Sequence, residues 1–125
     1  MRLTAPCAIG DLLDRITILR IKAARVEGIA QARVARELAE LAACWPALEV
    51  ADEPEMAELA AVNLALWEVE DRLRAREALA SFGAEFVTDA RSVYRLNDRR
   101  AAIKRAVNLR LGSDLVEEKI HPEYR

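Results

Sequence analysis

One histidine, two cysteines and 5% aromatic residues in a chain of 125 leave few of the side chains on which most chemistry depends. His121 stands alone in the C-terminal tail, with no second histidine and no cysteine pair beside it, so no protein metal site is expected. Cys7 and Cys44 have neither the number nor the spacing of a disulfide framework. They read as reduced, buried structural residues. No glycine-rich phosphate loop occurs, and Ser81, Ser92 and Ser113 lack the glycine-flanked elbow that activates a nucleophile. Hydrolase and kinase chemistry therefore have no residues to rest on, and no cofactor is expected. Only four glycines and four prolines are present, which excludes collagen-like and low-complexity sequence. Charge of one sign is missing too: 19 basic against 21 acidic residues give a net charge of -2, so the chain as a whole exerts no general pull on nucleic acid or anionic membrane. Near the start, Asp11, Asp14, Arg15 and Lys22 interrupt the apolar stretch. They break up any signal-peptide core or membrane span and point to the cytoplasm.

What is abundant is helix-forming material. Hydrophobic residues make up 53% and charged residues 32%, and alanine and leucine alone supply 40 residues. The length suits a single helical domain over 1–125. Apolar residues recur at steps of three and four, and Gly28, Pro46, Pro54, Gly83 and Gly112 punctuate them into four helices. The first runs from Asp11 to Val26 and stops at Gly28. The second covers Gln31 to Cys44, with Val34, Leu38, Leu41 and Trp45 on one stripe and Pro46 as terminator. A third begins through Pro54 after an acidic loop around Asp52, Glu53 and Glu55, and ends before Gly83. The fourth spans Ala84 to Leu111 and ends at Gly112. With period-two alternation absent, the fold class is all-α, an antiparallel bundle of two helical hairpins with two long C-terminal helices. Those long helices leave apolar surface for a second copy, so a homodimer is expected. The tail, 113–125, is expected to form a helical turn from Asp114 to Glu117. It should dock on the bundle or across a dimer interface, with its acids near the basic face of the fourth helix.

Helical wheels place polar residues where apolar ones belong. The first helix is apolar nearly all round, which makes it the central one, and a narrow wedge holds Asp11, Asp14, Arg15, Lys22 and Arg25. On the third helix Asn63, Glu70 and Arg74 lie at the edge of the apolar arc with Trp67, so Glu70 points partly inward. On the fourth, Arg100 and Lys104 sit within the arc one turn apart, flanked by Asn97 and Asn108. Buried charges cost several kcal/mol unless paired, so Glu70, Asp71 or Asp14 should receive the two cations. Otherwise the cations await an anionic ligand. The rest of that helix carries Arg91, Arg95, Arg99, Arg105 and Arg110, a basic face that lacks interleaved aromatics.

Three blocks carry a family likeness. They are Gly10-Asp-Leu-Leu-Asp-Arg-Ile-Thr-Ile-Leu-Arg-Ile-Lys22, then Asn63 with Leu66-Trp-Glu-Val-Glu-Asp71, then Ala90-Arg-Ser-Val-Tyr-Arg-Leu-Asn-Asp-Arg-Arg100 with Leu111-Gly-Ser-Asp-Leu-Val-Glu-Glu-Lys119. Together they resemble a small bacterial family known only as a domain of unknown function. The resemblance implies no activity. It marks Asp14, Lys22, Asn63, Trp67, Glu70, Asp71, Asn97, Arg100, Lys104 and Asn108 as candidate ligand-binding residues, with Tyr94, Asp98 and Arg99 matching as well. All-helical chorismate mutases hold a dicarboxylate inside a small dimeric bundle, but their helix order and spacing differ and the likeness stops at fold class. Three functions remain open. The first is a noncatalytic helical module that binds a protein partner or assembles. The second is a small-molecule site, enzymatic or not, holding an anion between Arg100 and Lys104. The third is weak nucleic-acid binding by the basic face.

Overall fold

The computed structural model describes residues 1–44 and 54–124. Four helices follow in order, α1 (Ile9–Ala23), α2 (Gly28–Ala43), α3 (Pro54–Ala78) and α4 (Ala84–Arg110), and no strand occurs among the described residues. The chain is all-α. Side-chain pairs between helices set their directions: Arg15 on α1 meets Glu37 on α2, Arg72 on α3 meets Asp89 on α4, and Glu55 at the start of α3 meets Arg110 at the end of α4. α1 and α2 therefore run antiparallel, as do α3 and α4. Trp45, Pro46, Asp52 and Glu53, to which the sequence assigns the end of the second helix and an acidic loop, lie outside the described residues.

α1 is the centre because it has apolar residues on nearly every side, and it alone packs against all three other helices. Leu13, Ile16 and Leu19 are buried on it. Leu13 and Ile16 form one cluster with Met56, Leu59 and Val62 of α3 and with Ile103 and Val107 of α4. Removing each such side chain from water contributes about 1.5–3 kcal/mol before the entropy of ordering it is counted. α2 has no buried residue of its own, and only Leu38 and Leu41 lean onto the cluster. It is a cover on α1 rather than an equal member of the core.

The helix ends differ from their expected positions for local reasons. α1 closes at Ala23, where the amides of Arg25 and Val26 both return to the Lys22 carbonyl. Gly28, expected as its stop, instead opens α2 with φ 63°, a left-handed conformation that glycine adopts without steric cost. α3 ends at Ala78, well before Gly83. Ala80 takes the left-handed role with φ 50°, its amide donating to the Glu77 carbonyl and the Ser81 amide to the Arg76 carbonyl at 2.9 Å. That bond pair is a Schellman stop built without glycine. Gly112 plays the expected part at the end of α4, with φ 66° and the Ser113 amide on the Asn108 carbonyl. The helical turn expected from Asp114 to Glu117 is not formed. Cys7 and Cys44 are both free and exposed rather than buried, because one precedes α1 and the other caps α2, both at element ends.

Length mismatch shapes the molecule. At 1.5 Å per residue α3 and α4 run about 38 and 40 Å, against about 22 Å for α1. Buried residues of α3 stop at Val69, and those of α4 begin only at Ile103. Beyond them the two helices form an arm held by Arg72–Asp89 at 3.1 Å and Arg76–Glu85 at 2.6 Å. No helix among the described residues is long and apolar enough to cross a membrane.

Two substitutions report on these features. Ala80→Gly relieves a left-handed alanine, which costs about 1–2 kcal/mol, partly offset by the larger unfolded-state entropy of glycine. A stability gain of about 0.5–1 kcal/mol is expected in urea unfolding. Gly10 faces α4 so closely that an added Cβ would stand 2.6 Å from the Lys104 carbonyl oxygen and 3.1 Å from Asn108 Oδ1. Gly10→Ala should therefore push α1 from α4 and lower stability by about 1–3 kcal/mol in the same assay.

Candidate functional site

The polar residues of three helices converge where α1 crosses between α3 and α4. Asp14 is 3% exposed. Arg100 clasps its carboxylate with two donors, Nε reaching Oδ1 at 2.8 Å and the second guanidinium nitrogen reaching Oδ2. Asn63 Nδ2 donates to Asp14 Oδ1 at 2.9 Å and to Thr17 Oγ1 at 2.8 Å, which spends both amide hydrogens. Thr17 Oγ1 donates in turn to the Asp14 carbonyl at 2.7 Å. One turn along α4, Lys104 Nζ lies 2.7 Å from Asp11 and 3.1 Å from Glu117 of the tail. Asn108 Oδ1 accepts from the Gly10 amide at 2.6 Å, and Ser113 Oγ accepts from the Ile9 amide at 3.1 Å. These last two bonds satisfy first-turn amides of α1 that its own helix cannot.

The electrostatics are those of a closed account. The Asp14 carboxylate raises the Arg100 guanidinium above its ordinary range by hydrogen bonding, against the effect of burial. Burial alone would lower the Lys104 ammonium, but its bonds to Asp11 and Glu117 outweigh that and raise it. Lys119 and Lys104 together hold the Glu117 carboxyl below its usual value. Both cations of the cluster are engaged by carboxylates, Arg100 by Asp14 and Lys104 by Asp11 and Glu117. The arrangement ties α1, α3, α4 and the tail together.

Of the ten candidates, Asp14, Asn63, Arg100, Lys104 and Asn108 come together here. Trp67 stands apart, half-buried, with the Arg25 guanidinium 5.3 Å above its ring. Lys22, Asp71 and Asn97 are exposed. Glu70 is exposed as well, which corrects the expectation that it receives Arg100 and Lys104. It shares a helix face with Asn63, but Arg25 past the end of α1 already covers Trp67, so Glu70 lies beyond α1 in solvent. Asp11, Thr17 and Ser113 belong to the cluster although the candidate set omitted them. The signal for Asp11 was available: two acids three residues apart on one helix match two bases four apart on an antiparallel one. Thr17 was hidden because it counts among the apolar stripe.

Around α4 the other charges fall into two groups. Arg105 pairs with Glu118 at 3.1 Å and Arg110 with Glu55 at 2.7 Å. The tail continues along α4, where Tyr124 donates to Asp98, His121 Nε2 lies 3.5 Å from Asp98, and the Tyr94 and Tyr124 rings meet edge to face at 4.9 Å. A cleft of about 490 Å³ beside it is lined by Tyr94, Asn97, His121 and Tyr124. Arg91, Arg95 and Arg99 form no ion pair among the described residues.

A family model described as a family of unknown function (DUF6165) matches residues 4–122, and the chain belongs to that family. No curated protein and no solved structure matches the chain significantly.

The clamp is testable by stability. Arg100→Met leaves a buried carboxylate with Asn63 as its main partner, and should cost about 3 kcal/mol, the lower end for breaking a buried pair because Arg100 is partly exposed. Asp14→Asn should cost a comparable amount, and the double variant less than the sum. Glu70→Gln should stay within about 0.5 kcal/mol of the parent, as for an exposed position. Equilibrium urea unfolding of the parent and the four variants checks all three statements.

Proposed function

We propose that the chain is a noncatalytic helical assembly module, and that its first partner is a second copy of itself. The observation that carries this reading is the tip of the α3–α4 arm, where Leu79, Phe82 and Val87 are 79%, 52% and 50% exposed. Single apolar side chains on a surface need no explanation, but a contiguous group at the end of a projecting hairpin does. Phe82 and Phe86 already meet edge to face at 5.2 Å, a small aromatic platform with one side open.

A second copy suits the tip because the charges beside it are of both signs. Arg74 and Glu77 have no side-chain partner among the described residues and stand three apart on α3. A two-fold axis through the tip sets Arg74 of one protomer toward Glu77 of the other and the reverse, while joining the apolar groups. The contacts of Asp14, Asp11 and Glu117 with Arg100 and Lys104 support the assembly reading over that of an anion held by these two cations. We assign the chain to the cytoplasm on the charges that break its first apolar stretch, a reading with which two free thiols agree.

Light scattering on a size-exclusion column should give twice the chain mass at micromolar concentration. Leu79→Asp with Phe82→Asp should return it to one chain mass without loss of helical content by circular dichroism. A parent that stays monomeric, or a dimer that survives both substitutions, overturns the reading.

A further inference from the structure

Three of the arginines that form no ion pair among the described residues stand in one row. Arg91, Arg95 and Arg99 follow each other at four-residue steps on α4, and none reaches an acidic side chain among the described residues. Arg76, Arg100, Arg105 and Arg110 on the same two helices are all paired. Like charges one turn apart repel, so this row is a standing cost to the folded chain that no acid among the described residues relieves. The three arginines line a cleft of about 520 Å³ between α3 and α4, which no residue of α1 lines.

The cleft is a shallow groove open to solvent. Buried Val69 and half-buried Leu96 form its floor, and Arg72 closes the α3 side. Asp89 is the one acid lining it, and its oxygens are engaged by Arg72 at 3.1 Å and by Arg76 at 3.6 Å. The Arg72 contact holds the Asp89 carboxyl below its usual value, so it stays ionised and committed. Ser92 Oγ donates to the Asp89 carbonyl and Thr88 Oγ1 to the Ala84 carbonyl, which spends both hydroxyl hydrogens inside the helix. The free donors facing the cleft are therefore guanidinium groups, whose planar forks suit phosphate oxygens two at a time.

We infer that this cleft binds the phosphate chain of a small molecule, either a free oligophosphate or the chain of a nucleotide. Three residues at steps of four span about 12 Å of helix. That length matches several linked phosphates better than a single orthophosphate. No aromatic residue lines the cleft, so a nucleic-acid strand would find no stacking platform there. The inference concerns a different face from the arm tip, and it stands or falls independently of dimer formation.

Titration calorimetry with sodium tripolyphosphate, without magnesium and at low ionic strength, tests it. One site per chain is expected, with affinity at least about tenfold above that for orthophosphate and falling with added salt. Arg95→Gln should weaken binding about tenfold and the Arg91→Gln, Arg95→Gln, Arg99→Gln triple variant should abolish it, the scale of lost charge-assisted bonds. Arg105→Gln, on the same helix but outside the cleft, should leave affinity unchanged. Adenosine triphosphate binding as tightly as tripolyphosphate identifies the chain alone as the ligand, and tighter binding identifies a nucleotide. No binding, several sites per chain, equal loss in Arg105→Gln, or binding of single-stranded oligonucleotide in place of tripolyphosphate overturns the inference. The melting temperature of the triple variant should equal or exceed that of the parent, which separates lost binding from lost fold.

Discussion

A buried carboxylate on the central helix is the constraint from which the rest of the arrangement follows. Asp14 sits among apolar residues on the one helix that touches every other, and its charge there must be met from outside α1. α3 supplies Asn63 and α4 supplies Arg100, and both arrive only at one axial position of each helix. Hydrophobic burial is not directional, and the cluster of Leu13, Ile16, Leu59, Val62, Ile103 and Val107 could accept a helix slipped by a turn at modest loss. The ion pair cannot. A slip of one turn would bury three unsatisfied polar side chains at once, so the network selects the register even where its net contribution to stability is small.

Other features agree with that register. Gly10 lets the α1 backbone come against the Lys104 carbonyl, and this closeness allows Asn108 to cap the first turn of α1 and Lys104 to reach Asp11. The tail then enters through Ser113, which accepts from the Ile9 amide, and delivers Glu117 to the same lysine. The start of α1, the end of α4 and the tail are thus tied at one end of the bundle. The opposite end, past Arg25 and Trp67, has no third layer among the described residues. The arm exists because α1 is short, and its exposure is the other side of the clamp.

Much of this was readable in the residues alone. Helix number, class, the central place of α1 and the inward position of Arg100 follow from periodicity, since burial on a helix repeats every three to four residues. The partner of a buried cation is harder to read, because a wheel gives the angle of Glu70 but not the height at which α1 ends. Glu70 and Asn63 share an angle and differ in height, and only one is covered. Ala80 misled for a related reason: sequence favours glycine at a left-handed stop, yet the two bonds from Ala80 and Ser81 suffice to hold an alanine there. Thr17 looks apolar on a wheel because its methyl group packs like a valine, while its hydroxyl completes the network.

The separation of charge on α4 bears most directly on what the molecule does. Its inward cations are met within the chain, Arg100 by Asp14 on α1 and Lys104 by acids on α1 and in the tail, and they serve the fold. Its outward row is met by nothing among the described residues, although Glu70, Asp71 and Glu77 are also without partners on the neighbouring helix. Those acids lie around α3 from the cleft, whereas Asp89, the acid that does face it, is held by Arg72 and Arg76. Pairing was therefore available in composition and is absent in placement. A helix that neutralises one face so completely while leaving the other bare divides its charge by role: one set positions helices, and the other remains available to whatever approaches from solvent.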